Sequence, residues 1–305
     1  RYDLSRAVTD GRYYLIRNFM PHRPRGQKPE HGYNVQQNWN AWRDWYYGNP
    51  EAAAPVHARF FKPKPVVEFY DLESDPWQVN NLALDPASRK PHEKRIASME
   101  KALYDWMVET RDTSLIPEPM FYDFVGAEKP YKTIYEFAQS DAYKVRKVLE
   151  AAKVASKGQA ALLPEYLAML TDENPLVRHW ASYGLFLVRS DTPEVQDALR
   201  QVIAKDAHSA NRTMAAQALA RCGDPDTAFQ ALMKEINTEK DEYKRLLALN
   251  ALQYGRVDDR LTKEDWEVLA AHKHSKEYPD SLAYLWAKNI PDNVLKYWPE
   301  RIIVE

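Results

Sequence analysis

The sequence predicts an α+β N-terminal unit, a small antiparallel sheet with a packed helix, followed by an all-α solenoid. An Asp-Gly pair at positions 10–11 separates two segments rich in aromatic and β-branched residues, as in a β-hairpin. From about residue 135, amphipathic helical segments follow one another, with short Pro, Asp, Asn or Gly breaks between them. We therefore expect three parts, namely residues 1–120, a connector at 121–134 and a helical-repeat domain at 135–305.

The elements of the first part follow from local patterns. The hairpin arms are expected at residues 4–9 and 12–19, joined by a type I′ turn at Asp10-Gly11. A third strand at 66–72 lies between Pro65 and Asp75-Pro76. A helix then begins near Pro91, since the following apolar residues recur every three or four positions: Ile96, Met99, Leu103, Trp106 and Met107.

A cationic loop follows the second predicted strand. His22, Arg23 and Arg25 lie between two stiffening prolines, Pro21 and Pro24. One interpretation is an anion-binding loop at the rim of a site, because guanidinium groups bind sulfate and carboxylate oxygens well. The other is a solvated basic surface loop. The sequence alone leaves both open.

Tryptophans follow this loop at three-residue spacing. Trp39, Trp42 and Trp45 form one slowly rotating stripe on a predicted short helix. Stacking against sugar rings is one interpretation, and burial against the sheet is the other.

Composition excludes several classes of function. The 42 Lys+Arg and 44 Asp+Glu residues give a net charge of −2, which argues against a dedicated nucleic-acid binder. No apolar run approaches the roughly 18 residues of a membrane span. The one cysteine, Cys222, excludes an internal disulfide, and we expect it to be a small buried residue near a helix end.

The second part contains an internal repeat. Segments that begin at Arg178, Arg212 and Arg245 share the pattern Arg-x-apolar-Ala-x-x-small-Leu, at spacings of 34 and 33 residues. The repeated arginine is expected to cap loops or form salt bridges between repeats, and a ligand-binding ladder is the alternative. The helix start at 174–178, Asn-Pro-Leu-Val-Arg, resembles that of HEAT-like repeats.

The C-terminal stretch is again aromatic. We expect a capping repeat there, with a sugar-binding surface as the alternative. Its aromatic residues are Trp266, Tyr278, Tyr284, Trp286, Tyr297 and Trp298.

Four blocks in the first part resemble the C-terminal subdomain of type I, formylglycine-dependent sulfatases. They occur in the same order and spacing as in that family, and the MPHRP loop after the second strand matches as well. The blocks are RAVTDGRYYLIRNF at 6–19, FYDLESDP at 69–76, NNLA at 80–83, and WM at 106–107 followed by TRDTSLIPE at 110–118.

The resemblance implies a role for the chain in sulfate-ester hydrolysis. In such enzymes a large N-terminal domain carries the formylglycine and a calcium ion, and the smaller subdomain forms part of the substrate cleft. Neither the formylglycine motif nor a calcium-ligand pattern occurs in this sequence, so both are expected in a missing N-terminal domain. The start on a hairpin also indicates a fragment of a longer protein. We therefore expect no catalytic residue in this chain.

Under this interpretation His22, Arg23 and Arg25 are the candidate substrate-binding residues. The expected partners are the missing sulfatase domain and a sulfated glycan, with no nucleic acid and no membrane span. The resemblance also implies a periplasmic or secreted protein. The alternative function is a protein-binding helical-repeat scaffold without a catalytic role. A free-standing hydrolase is disfavoured, because the eight histidines show no metal-ligand spacing beyond the pair His272 and His274.

Overall fold

The structure is a computed structural model that describes residues 3–26, 37–262 and 264–265. The described chain divides into two compact units, one up to Leu115 and the other from Ile116. The first contains a small antiparallel sheet with a packed helix, and the second is built of helices in a repeat arrangement. The predicted fold class is therefore confirmed.

The sheet has three antiparallel strands in the order β1-β2-β3. These are β1 (Ser5–Thr9), β2 (Tyr13–Asn18) and β3 (Val67–Asp71). Because side chains alternate across a strand, the register that pairs Leu15 with Phe69 places both on the same face, and both are fully buried.

The hairpin turn differs from the predicted one. The register pairs Thr9 with Tyr14, so the two central turn residues are Gly11 and Arg12. Gly11 has a φ of 98°, which glycine adopts without steric cost, whereas Asp10 does not have a positive φ. Asp10 instead accepts hydrogen bonds on its side chain from the backbone N–H groups of Arg12 and Tyr13. Asp10 therefore precedes the two central turn residues and stabilises the turn through its carboxylate.

The described part of the first unit also contains four α-helices: α1 (Gln37–Gly48), α2 (Pro55–Ala58), α3 (Pro86–Arg89) and α4 (Glu93–Glu109). Helix α4 packs on β1 and β2. Four of the five predicted core residues of α4 are buried, namely Ile96, Met99, Leu103 and Met107. The fifth, Trp106, is 49% exposed because it lies at the margin of the buried stripe.

The outer edge of β3 is covered by the Asn81 side chain and the backbone of Leu82. Asn81 accepts a hydrogen bond from the backbone N–H of Phe69 at 2.9 Å and donates one to the carbonyl of Val67 at 3.2 Å. The Leu82 N–H also donates to the Phe69 carbonyl. Asn81 thus replaces a fourth strand on this side of the sheet.

The aromatic stripe of α1 packs against the segment that follows α2. Trp42 stacks on Phe60 with ring centroids 4.6 Å apart, and Tyr46 stacks on Phe61 at 4.7 Å. Trp45 is 41% exposed. The expected burial against the sheet is replaced by this local aromatic cluster, in which rings from positions 42–61 contact each other.

The second unit begins with the short helices α5 (Phe121–Phe124) and α6 (Ile134–Gln139). Helices of 7 to 14 residues follow. They are α7 (Val145–Ala155), α8 (Leu163–Met169), α9 (Pro175–Val188), α10 (Pro193–Lys205), α11 (Ser209–Arg221), α12 (Pro225–Thr238) and α13 (Glu242–Gly255).

Side-chain caps fix where these helices start. Asn174 accepts from the N–H of Leu176, Asp224 from that of Thr227, and Asp241 from that of Lys244. Such caps satisfy amide groups that have no partner inside the helix. The predicted cap of α9 by Asn174, with Pro175 in the first turn, is confirmed.

Helices α7, α9, α11 and α13 stack side by side as an inner layer. The repeated pattern lies on α9, α11 and α13, and its small residue is explained by close packing. A Cβ atom on Gly184 would lie 2.8 Å from the ring of Tyr166, which is fully buried. Ala218 and Ala251 occupy the equivalent positions and are also fully buried. Larger side chains there would force the layers apart.

The repeated arginine bridges neighbouring repeats. Arg178 forms a two-bond contact with the carboxylate of Asp206 at 2.7 and 3.1 Å and also donates to the carbonyl of Asp172. Arg212 binds Glu235 in the same way, at 2.6 and 2.9 Å, and donates to the carbonyl of Asp206. Arg245 donates to a carbonyl six residues earlier, as the other two do. The prediction of caps and salt bridges is confirmed.

Two further results concern predictions from sequence. No helix among the described residues is long and apolar enough to cross a membrane. The aromatic C-terminal stretch from Trp266 onward, and the pair His272 and His274, lie outside the described residues.

His179 on α9 provides a test of the packing. It is fully buried, and this burial lowers its pKa from 6.5 to about 4. Between these values the unfolded chain binds a proton that the folded chain does not, so stability falls as pH decreases from 6.5 to 4. The full effect is roughly 3 kcal/mol.

We expect His179→Gln to remove most of this pH dependence. Urea unfolding of both proteins at pH 7, 6, 5 and 4.5 measures it. Several carboxylates, including Asp206, have a pKa below the usual value, so they contribute mainly at lower pH. An equal decline in the two proteins would show that His179 is protonated in the folded state.

Candidate functional site

The cationic loop is fixed to the segment before β3. The backbone N–H of Lys64 donates to the carbonyl of Pro21 at 2.8 Å, and that of Gly26 donates to the carbonyl of Phe60 at 2.7 Å. Gly26 is required here, because an added Cβ atom would lie 2.7 Å from the Phe61 ring. The part of the loop that the structure describes, up to Gly26, is therefore held by backbone contacts at two points.

Glu68 is the centre of the polar contacts around this loop. It lies on β3, on the face opposite α4, and is 1% exposed. Its carboxylate accepts hydrogen bonds from Asn18 at 2.7 Å and from the Tyr70 hydroxyl at 2.6 Å. Arg25 contacts both of its oxygens through Nη2. These three donors satisfy the hydrogen-bonding capacity of the buried carboxylate.

Burial sets the protonation of the neighbouring groups. Burial, and next the hydrogen bond to Glu68, raises the pKa of Tyr70, so its hydroxyl keeps the proton that it donates. Burial lowers the pKa of Lys64, and the ion pair with Asp3 at 2.6 Å opposes that effect. The positive charges of Arg25 and Arg23 lower it further.

The three predicted site residues differ in accessibility. His22 and Arg23 are buried, at 5% and 7% exposure. The Arg25 side chain is 31% exposed, and no hydrogen bond to its Nε or Nη1 is found within the described residues. Arg25 is thus a guanidinium anchored on one nitrogen with further donors available. This arrangement suits the binding of an external anion without a large ordering cost.

Sequence reasoning missed the acidic half of this cluster. Glu68 stands within the otherwise apolar and aromatic run Val66–Tyr70, and a charged residue in a buried strand requires a partner. The sequence could therefore have indicated that Glu68 has a cationic or polar partner. The ion pair between Lys64 and Asp3 joins positions 61 residues apart and has no comparable local signal.

Metal and thiol chemistry have no support in the described part of the chain. No group of three or more His, Cys, Asp or Glu residues there could hold a metal ion. Cys222 is fully buried, as predicted, and burial raises its pKa to about 12. Its thiol is therefore neither a nucleophile nor a metal ligand at neutral pH.

The second unit is similar to a known repeat family. Residues 163–253 match the family model for HEAT repeats. The match begins with α8 and ends within α13, and it includes all three repeated arginines. The predicted HEAT-like repeats are therefore confirmed. Comparison with curated proteins and with solved structures gave no match.

Proposed function

We propose that this chain is the C-terminal, non-catalytic part of a sulfatase that acts on sulfated glycans. It would form one wall of the substrate cleft, next to a preceding catalytic domain that carries the formylglycine and the calcium ion. The supporting observation is that the blocks behind the sulfatase resemblance contact one another within the first unit.

Three contacts make this point. Arg6 of the first block binds Asp112 of the last through two hydrogen bonds of 2.7 and 2.9 Å. Arg12 of the first block binds Asp71 of the second block at 2.7 Å. The side chain of Asn81 covers the edge of β3. The resemblance therefore rests on residues that hold one unit together, which argues against four accidental matches.

The outer edge of β1 is where the catalytic domain would join the sheet. Ala7 and Thr9 direct their backbone N–H and C=O groups away from β2, and both residues are exposed. No backbone hydrogen bond on that side is found among the described residues. An open strand edge accepts a strand from another domain readily.

The substrate role falls on the cationic loop. Arg25 would present its free donors to a sulfate or carboxylate group, and the buried side chains of His22 and Arg23 lie in the same loop. The proposal also places the protein outside the cytoplasm, in the periplasm or secreted.

A second candidate is a protein-binding scaffold without a catalytic partner. The HEAT-repeat match favours it, because stacked helix pairs offer long continuous surfaces for binding. The two candidates differ in what the gene encodes upstream. A reading frame that continues into a Cys/Ser-x-Pro/Ala-x-Arg motif supports the sulfatase.

Turnover tests the first proposal directly. We expect this chain, with calcium present, to show no hydrolysis of an aryl sulfate, because the reactive groups lie in another domain. The longer natural polypeptide is expected to hydrolyse it. Turnover by this chain would contradict the proposal, and so would a longer polypeptide with no sulfatase activity.

Arg25 tests the substrate role in that longer polypeptide. Arg25→Gln is expected to raise KM for a sulfated oligosaccharide about tenfold and to leave KM for a small aryl sulfate nearly unchanged. Arg95→Gln is the matched control, because it removes the same charge from α4, where Arg95 forms an exposed ion pair with Asp10 of the hairpin. Equal effects of Arg25→Gln on both substrates would count against contact with the glycan.

A further inference from the structure

A series of cations lies at one end of the inner helix layer. A basic residue lies at the C-terminal end of each of the helices α7, α9, α11 and α13, or within two residues after it: Lys157, Arg189, Arg221 and Arg256. We call these four residues the basic ladder. It is distinct from the repeated arginines, which lie in the first turns of α9, α11 and α13.

The helix ends that carry the ladder are close neighbours. The Cys222 thiol donates to the carbonyl of Leu185 at 3.6 Å, which joins the ends of α11 and α9. A Cβ atom on Gly255 would lie 3.3 Å from Ala220, which joins the ends of α13 and α11. Packed helix axes lie about 8–10 Å apart, so the cations follow one another at about that interval.

Three residues of the ladder, Lys157, Arg189 and Arg221, differ from the basic residues at the other end of the same helices, which have acidic partners. There, Arg178 pairs with Asp206 and Arg212 with Glu235. By contrast, Lys157, Arg189 and Arg221 make no ion pair or side-chain hydrogen bond within the part of the chain that the structure describes. The negative end of a helix dipole favours a cation, but it provides no oxygen acceptor for these donors.

Two ladder residues have a backbone conformation that is unfavourable for residues other than glycine. Arg189 and Arg256 have φ angles of 59° and 58°, in the left-handed region that favours glycine. At the ends of α7 and α11, Gly158 and Gly223 have the positive φ instead. An arginine at these two positions therefore carries a backbone cost that glycine would not have.

Like charges crowd the ladder. Burial, together with the charges of Arg189 and Arg256, lowers the pKa of Arg221 to about 10. Burial and the charge of Arg256 also lower the pKa of Arg189. A bound anion would relieve this repulsion and supply the missing acceptors.

We propose that the basic ladder binds the anionic groups of a linear sulfated glycan. Guanidinium groups form paired hydrogen bonds with sulfate and carboxylate oxygens, and a linear polymer can reach several steps of the ladder at once. The ladder predicts an anionic ligand by itself, and the choice of a sulfated glycan rests on the proposed function.

Binding of a heparin-derived octasaccharide to the full chain tests the proposal. The test variant is Arg189→Gly with Arg221→Gln, measured by isothermal titration calorimetry at two salt concentrations. We expect its Kd to rise at least about tenfold and the salt dependence of binding to decrease. Glycine suits the left-handed backbone at position 189, so Arg189→Gly is not expected to lower the melting temperature. Any decrease in the melting temperature of the double variant is then due to Arg221→Gln.

The matched control is Lys205→Gln with Lys234→Gln, which removes two exposed charges from α10 and α12. We expect it to change Kd less than about twofold. No binding by the original chain, or equal binding by the test variant, would overturn the ladder as a site. Tighter binding of a single-stranded RNA of equal charge would overturn the choice of glycan. Sulfatase activity of the longer polypeptide is measured separately, so failure here leaves that proposal standing.

Discussion

The second unit depends on one interaction that repeats along it. In the first turn of each patterned inner helix, an arginine holds a loop carbonyl of its own repeat, and in two of three cases also the acid of the next repeat. This contact sets the distance between repeats and keeps neighbouring inner helices parallel, as the bond from Asn211 to the Pro175 carbonyl also shows. Because the helices are parallel, their C-terminal ends meet at the other edge. The basic ladder is therefore a consequence of the same arrangement.

Features determined by local pattern were predictable from the sequence. The repeats were predicted because Arg178 and its two equivalents recur with the period of the fold, and the hairpin because few residues other than glycine adopt the φ of Gly11. The exact turn was not predictable, since Asp10 can either occupy the turn or cap it with its side chain. The exposure of Trp106 was also missed. Its spacing fits the core stripe, but its position at the margin of that stripe depends on how the helix is rotated on the sheet.

In the candidate site, too, the features set by local sequence were predictable and those set by distant residues were not. Arg25 was predicted because cations and prolines cluster within a few residues of each other. Its partner, Glu68, is 43 positions away, and no local pattern links the two. The contact between Arg25 and Glu68 favours the anion-binding interpretation of the loop over a solvated basic loop. The Arg25 guanidinium is held in place by Glu68, and its remaining N–H groups are available to a ligand. The proposed substrate class comes from the resemblance to sulfatases alone, since neither the geometry nor the HEAT-repeat match provides one.

A double-mutant cycle on Arg212 and Glu235 tests the central claim, that the repeated arginine couples adjacent repeats. The cycle uses Arg212→Gln and Glu235→Gln, with urea unfolding of the full chain. The pair is mostly buried and bidentate, so we expect a coupling of about 1–2 kcal/mol. The exposed pair of Arg260 and Asp226 also joins distant positions and serves as the control, with an expected coupling below about 0.5 kcal/mol. Equal coupling in the two pairs would contradict the account.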